Sequence, residues 1–181
     1  MSFEDLMIDK SQTVAEEAAF LKNKLISVRT ANRQEIVNRF DMDEHRLEHV
    51  TQFRGVNFIN DSKACTSNAT YYSFETLKSN IVWIAGGDDS LLNYTEIAGH
   101  VFNKVKALVC IGNNNQKLRE SFFDYIQEIH EHKNMEDAVR AAFYAAERGD
   151  TVLLSAGCEC DELYSDYEER GTAFRKAIAQ L

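Results

Sequence analysis

From His45 onward, short apolar runs recur at intervals too long for tight hairpins: Val56–Asn60, Ile81–Ala85, Ala107–Ile111 and Thr151–Ser155, with segments of helical periodicity between them. Parallel strands need a crossover of about a dozen residues or more, usually a helix, and strands covered on both faces read as continuous apolar runs. The pattern therefore predicts an α/β fold, Rossmann-like and doubly wound, with a mostly parallel sheet and flanking helices. Leu47–Phe53 and Val56–Asn60 read as a hairpin-like pair about Arg54-Gly55, and Tyr125–His130 as the least regular strand. Helices are expected at Thr66–Leu77, Tyr94–Lys104, Asn115–Phe123 and Met135–Glu147, and the end, Asp161–Leu181, as mostly helical but broken at Gly171.

Two N-terminal helices precede this pattern. Ser11–Leu25 places Val14, Ala18, Leu21 and Leu25 on one face, and Ala31–Phe40 gives a shorter second helix. The expected division is residues 1–44 and residues 45–181. The apolar faces of the first part call for a partner, which is the C-terminal domain, a second copy of the chain or another protein. With 181 residues and 44% hydrophobic content, the chain can bury one substantial core. A net charge of −9 argues against nucleic-acid binding, which depends on neutralising phosphates. No run of 18 apolar residues and no basic, then apolar leader is found, so neither a membrane span nor secretion is expected and the cytoplasm is the expected location. The four cysteines, Cys65, Cys110, Cys158 and Cys160, are then expected as reduced thiols, with Cys110 in the core.

In such sheets ligands gather outside the carboxyl ends of the strands. That selects Asp61–Ser67, Gly86–Leu92, Gly112–Asn115 and Ala156–Asp161. The first follows an apolar strand with Asp61-Ser62-Lys63, and His45-Arg46 stands before the hairpin. Arg carries a fixed charge and a forked set of donors, and an ammonium at a strand end can offset charge on a phosphoryl group. The plainer readings are a surface Arg paired with Glu44 or Glu48 and a solvated Asp-Ser-Lys turn.

Asn60-Asp61-Ser62-Lys63-Ala64, Gly86-Gly87 and the tail Asp166-Tyr-Glu-Glu-Arg-Gly171 together resemble the C-terminal domain of the Mur ligases, nearest the branch that adds D-glutamate to UDP-N-acetylmuramoyl-L-alanine in peptidoglycan synthesis. The likeness covers roughly residues 31–181. It implies that residues 1–44 are the helical end of a central ATPase domain. It also implies that His45, Arg46 and Asp61 contact a nucleotide and that Lys63 is the catalytic, charge-stabilising group. The residues implied to hold the amino acid differ from the family. Cys65 stands where the family has Thr, Asp89 and Ser90 stand near its Lys, and Cys160, flanked by Glu159 and Asp161, stands at its Ser. Tyr167 replaces its pocket-walling Phe. Carboxylates in place of an ammonium repel a dicarboxylic amino acid. No Gly-x-x-x-x-Gly-Lys-Ser/Thr occurs in the 181 residues. ATP and Mg²⁺ are therefore expected only if a P-loop domain is supplied in trans. The expectation is a divergent domain that does not ligate alone, the alternatives being the substrate-positioning half of a split or truncated ligase, or a module binding a small ligand, a metal or a protein.

Cys65, Cys158 and Cys160 are weak metal candidates beside Asp88, Asp89, Glu159 and Asp161, because Cys-x-Cys lacks a second clear ligand pair. His130 and His132 are expected to face solvent.

Overall fold

The computed structural model describes residues 44–88, 93–160 and 163–181. By its contacts the chain divides into Met1–Phe40 and Asp41–Leu181, and every described residue lies in the second unit. Both expected N-terminal helices lie outside the described residues.

Six strands form one sheet: β1 (Glu48–Phe53), β2 (Val56–Asn60), β3 (Ile81–Ala85), β4 (Val105–Ile111), β5 (Glu128–His132) and β6 (Thr151–Leu154), in the order β1-β2-β6-β3-β4-β5. β1 and β2 are antiparallel, and every other neighbouring pair is parallel. The hairpin turns at Arg54 and Gly55, with φ 49° and 87°. Two left-handed residues match the twist of the strands they join, which is why a glycine follows Arg54 here.

β6 enters between β2 and β3, with Asn57 and Ile81 both opposite Thr151. The three strands that carry the site's loops are thus adjacent. All residues of β3 and β6 are buried. Alternate side chains go to opposite faces. Val82, Ile84, Val152 and Leu154 pack with Met135, Val139, Phe174 and Ile178, while Ile81, Trp83 and Leu153 pack with Phe74, Ile97, Val101 and Phe122. The second of these faces is covered by α1 (Ser67–Thr76), α2 (Ala98–Lys104) and α3 (Gln116–Phe122). The first is covered by α4 (Met135–Ala145) and α5 (Tyr167–Ile178). The doubly wound expectation holds.

Three expectations need correction. The segment from Tyr94 to Lys104 is not one helix: a 3-10 turn at Tyr94–Glu96, capped by the Asn93 side chain, precedes α2. The fifth strand begins at Glu128, because the Tyr125 and Ile126 amides still bond to Phe122 O and finish the preceding helix. Most important, Gly171 does not break the last helix. α5 runs through it, started by Asp166, whose side chain accepts from Glu169 N. The glycine serves close approach instead: a Cβ at 171 would lie 2.2 Å from His45 Nδ1 and 3.0 Å from Asn60 Nδ2.

Candidate functional site

The site is built where β2, β3 and β6 end. Asn60, fully buried at the last position of β2, orders the loop beyond it. Its amide nitrogen donates to His45 Nδ1 (2.9 Å) and Glu48 Oε2 (2.9 Å), and its oxygen accepts from Ser62 N (3.2 Å). An amide nitrogen only donates, so His45 Nδ1 accepts and the ring proton sits on Nε2. His45 is 4% exposed, with Glu44 at 3.8 Å from Nε2. In this structure it anchors the loop before β1 to the end of β2. Arg46 itself is half-buried. It stands between two left-handed residues, His45 (φ 64°) and Leu47 (φ 44°). Such backbone is unfavourable for residues with a Cβ and persists where surrounding bonds over-determine it. Here those bonds are His45 N to Glu48 Oε2 and Leu47 N to Asp61 Oδ1, both 3.1 Å.

Asp61 is likewise turned inward, at 1% exposure. Oδ1 accepts from Leu47 N, and Oδ2 accepts from the hydroxyls of Ser73 and Ser155. Burial pushes its carboxyl up to about 6, although the hydroxyls, the Leu47 amide and the Arg46 charge all favour the ionised form. In this geometry Asp61 ties the loop to α1 and to the end of β6.

Lys63 is partly buried in the same loop. Its amide donates to His45 O (3.0 Å), and Nζ lies 5.7 Å from the centroid of the Tyr167 ring. Behind it, Arg170 holds the loop from inside α5: Nε donates to Ser62 Oγ (3.0 Å), and Nη2 to Ser62 O (2.8 Å) and Cys65 Sγ (3.4 Å). Arg170 is 1% exposed. The tail's Arg170 and Tyr167 thus meet Lys63 and Cys65 from more than a hundred residues away.

Cys65 and Cys160 are half-buried, and burial raises both thiols. Each also feels the Arg170 and Glu159 charges, and Cys160 feels Cys65, so the two cysteines share one neighbourhood. Asp88 N donates to Glu159 O (3.1 Å), joining the loops after β3 and β6. Gly87 permits this junction, since a Cβ would fall 2.3 Å from Glu159 O, while Gly86 lets the chain pass the end of β4, where a Cβ would fall 1.9 Å from Ile111 O. Cys158 is fully buried and bonded to Ala156 O (3.4 Å). Among the described residues no three His, Cys, Asp or Glu side chains gather to hold a metal ion. Asp89, Ser90 and Asp161 lie outside the described residues.

The Gly112–Asn115 loop lines a separate recess of about 370 Å³ with Arg119, Glu131 and His132. His130 bonds to Glu128 (2.8 Å), but His132 is only partly exposed and its Nε2 is buried, unlike the solvent-facing side chain expected. No helix among the described residues is long and apolar enough to cross a membrane.

The sheet, the crevice of loops and the braced Lys63 define a doubly wound α/β domain of the kind that places a ligand at strand ends. The family model for the Mur ligase, glutamate ligase domain matches residues 45–158, and the chain belongs to that family. A UDP-N-acetylmuramoylalanine–D-glutamate ligase of Christiangramia forsetii is 38% identical over 164 residues, covering 91% of this chain and 37% of that protein. The protein of the same name from Chloroherpeton thalassium is 41% identical over 142 residues, covering 78% and 30%. The chain thus spans about a third of the length of the curated relatives it matches. Among solved structures, a MurF ligase from Thermotoga maritima in complex with ADP aligns at TM-score 0.52 and 15% identity, covering 77% of this chain and 32% of that one. FolC from E. coli in complex with ADP aligns at 0.52 and 17%, covering 76% and 32%. At these identities the likeness is one of fold.

Sequence reasoning named Arg170 and Gly171 only as part of a family-like tail. A signal for Arg170 was present: it occupies the stripe it shares with Phe174, Ala177 and Ile178, where an apolar residue is the norm.

Proposed function

We propose that this domain positions the amine-bearing reactant in a Mur-type, ATP-dependent amide ligation, with Lys63 offsetting charge on an acyl phosphate formed at a P-loop that these 181 residues do not contain. The observation that carries the reading is the support behind Lys63: Arg170, buried in α5, grips both the hydroxyl and the carbonyl of Ser62, the residue before it. A loop stiffened in this way holds an ammonium in one place, which charge stabilisation needs and a solvated turn does not. ATP and Mg²⁺ belong to the nucleotide-binding part, whether that is another chain or another region of a longer one. The relatives' names support a peptidoglycan precursor as the activated partner. The Cys65 and Cys160 thiols are weaker hydrogen-bond partners than hydroxyls, so a D-glutamate grip like the family's is weakened here.

The test combines this chain with a P-loop-bearing Mur ligase fragment and measures phosphate release with UDP-N-acetylmuramoyl-L-alanine and an amino acid panel. Amino-acid-dependent release that Lys63→Ala abolishes supports the reading. Release that is independent of the amino acid, or that survives Lys63→Ala, overturns it.

A further inference from the structure

Arg170 has only neutral partners among the described residues: a hydroxyl, a carbonyl and a thiol. A guanidinium remains charged in proteins, and a buried charge held without a counter-charge is costly. At 1% exposure this group therefore has no counter-charge bonded to it among the described residues. Its neighbours show where an anion would sit. Nη2 lies 3.4 Å from Cys65 Sγ, and Cys65 and Cys160, both under the influence of Arg170, are partly open to solvent. An anion resting on the thiol side is thus close to the guanidinium.

The rim of the same place has the opposite sign. Glu159 is exposed and its charge acts on both thiols. The Asp88–Glu159 backbone bond brings the exposed Asp88 beside it. A buried positive charge below the exposed Glu159 carboxylate accepts one carboxylate and repels a second.

We infer that Arg170 is the counter-charge for the carboxylate of the ligand this site takes, and that this ligand is a monocarboxylate with a neutral or cationic remainder, as in lysine, rather than a dicarboxylate. The inference rests on the reading that the domain positions an amino acid, and it narrows the class of that amino acid.

Calorimetric and NMR titrations of the 181-residue chain with L- and D-lysine, D-glutamate and cadaverine test it. One lysine enantiomer binds, while cadaverine, lacking the carboxylate, and D-glutamate bind at least about tenfold more weakly. E159Q, on the exposed rim, weakens lysine about threefold and strengthens D-glutamate. R170K keeps most lysine affinity and R170Q loses it, each compared only after circular dichroism shows a folded protein. If Arg170 is purely a brace, both variants lower Tm yet leave the affinity of the folded protein unchanged, which overturns the inference. If the Arg170 variants do not fold, E159Q and the ligand series decide. D-glutamate bound as tightly as lysine overturns this inference while leaving the positioning role intact. Absence of binding by any of these amino acids removes both.

Discussion

Asp61 and Gly171 show how much of the site's machinery is internal. Asp61 has a folded-state carboxyl near 6 against an ordinary value of 3.8, so the folded protein binds a proton more tightly than the unfolded chain does. The stability from that proton is fully present below about pH 4 and is lost as pH rises through about 6, a change on the order of 3 kcal/mol. Denaturant melts from pH 4 to pH 7 are expected to show this downward slope, and Asp61→Asn to remove it. A wild-type profile without the slope would place the Asp61 carboxyl elsewhere. At Gly171, an added Cβ would meet His45 Nδ1 at 2.2 Å. Gly171→Ala is therefore expected to cost about 2–3 kcal/mol in urea unfolding, as overpacking of a filled interior does, despite alanine's better helix propensity. Gly171→Ala as stable as wild type would show that the imidazole yields.

Elements were more legible in the sequence than their connections. The apolar runs of β2, β3, β4 and β6 are long enough and sufficiently β-branched to identify strands, and they stand within two residues of where they were expected. β5 was harder to place because Glu-Ile-His-Glu-His is an edge strand with polar side chains, and the apolar residues just before it, Tyr125 and Ile126, close α3 instead. The site divided in the same way. Lys63 and the loops were visible as local motifs, whereas the inward turn of His45 and Asp61 depends on Asn60, Ser73 and Ser155, partners distant in sequence. A helix-level test concerns Lys104 at the end of α2. Its Nζ donates to Phe74 O (2.5 Å) and Leu77 O (2.8 Å), carbonyls at the end of α1. Charge-assisted bonds to helix-end carbonyls contribute about 1–2 kcal/mol, so Lys104→Met should lower stability by that amount. Hydrogen exchange should quicken in α1 before other helices.

At the scale of the molecule, one sheet buried on both faces carries every loop of the site on three adjacent strands, β2, β6 and β3. That arrangement brings the described parts of these strand-end loops side by side. The proposed function assigns positioning to this domain and activation to a P-loop elsewhere. ATP with Mg²⁺ alone is expected to leave Tm unchanged within about 1 °C, because stabilisation follows ligand concentration over Kd and the phosphate-cradling motif is absent from the sequence. A saturable rise in Tm with ATP would point to a nucleotide site within these residues.

The stretch leading into β1 is fastened to the C-terminal helix. Arg175, in the last turns of α5, pairs with Glu44 (2.7 Å) and Glu48 (3.2 Å). Peeling the terminal helix away would therefore also release the approach to the first strand, so the two should open as one cooperative foldon. Strain arising at Glu44 would then reach the Lys63 loop directly, through the bond from Lys63 N to His45 O.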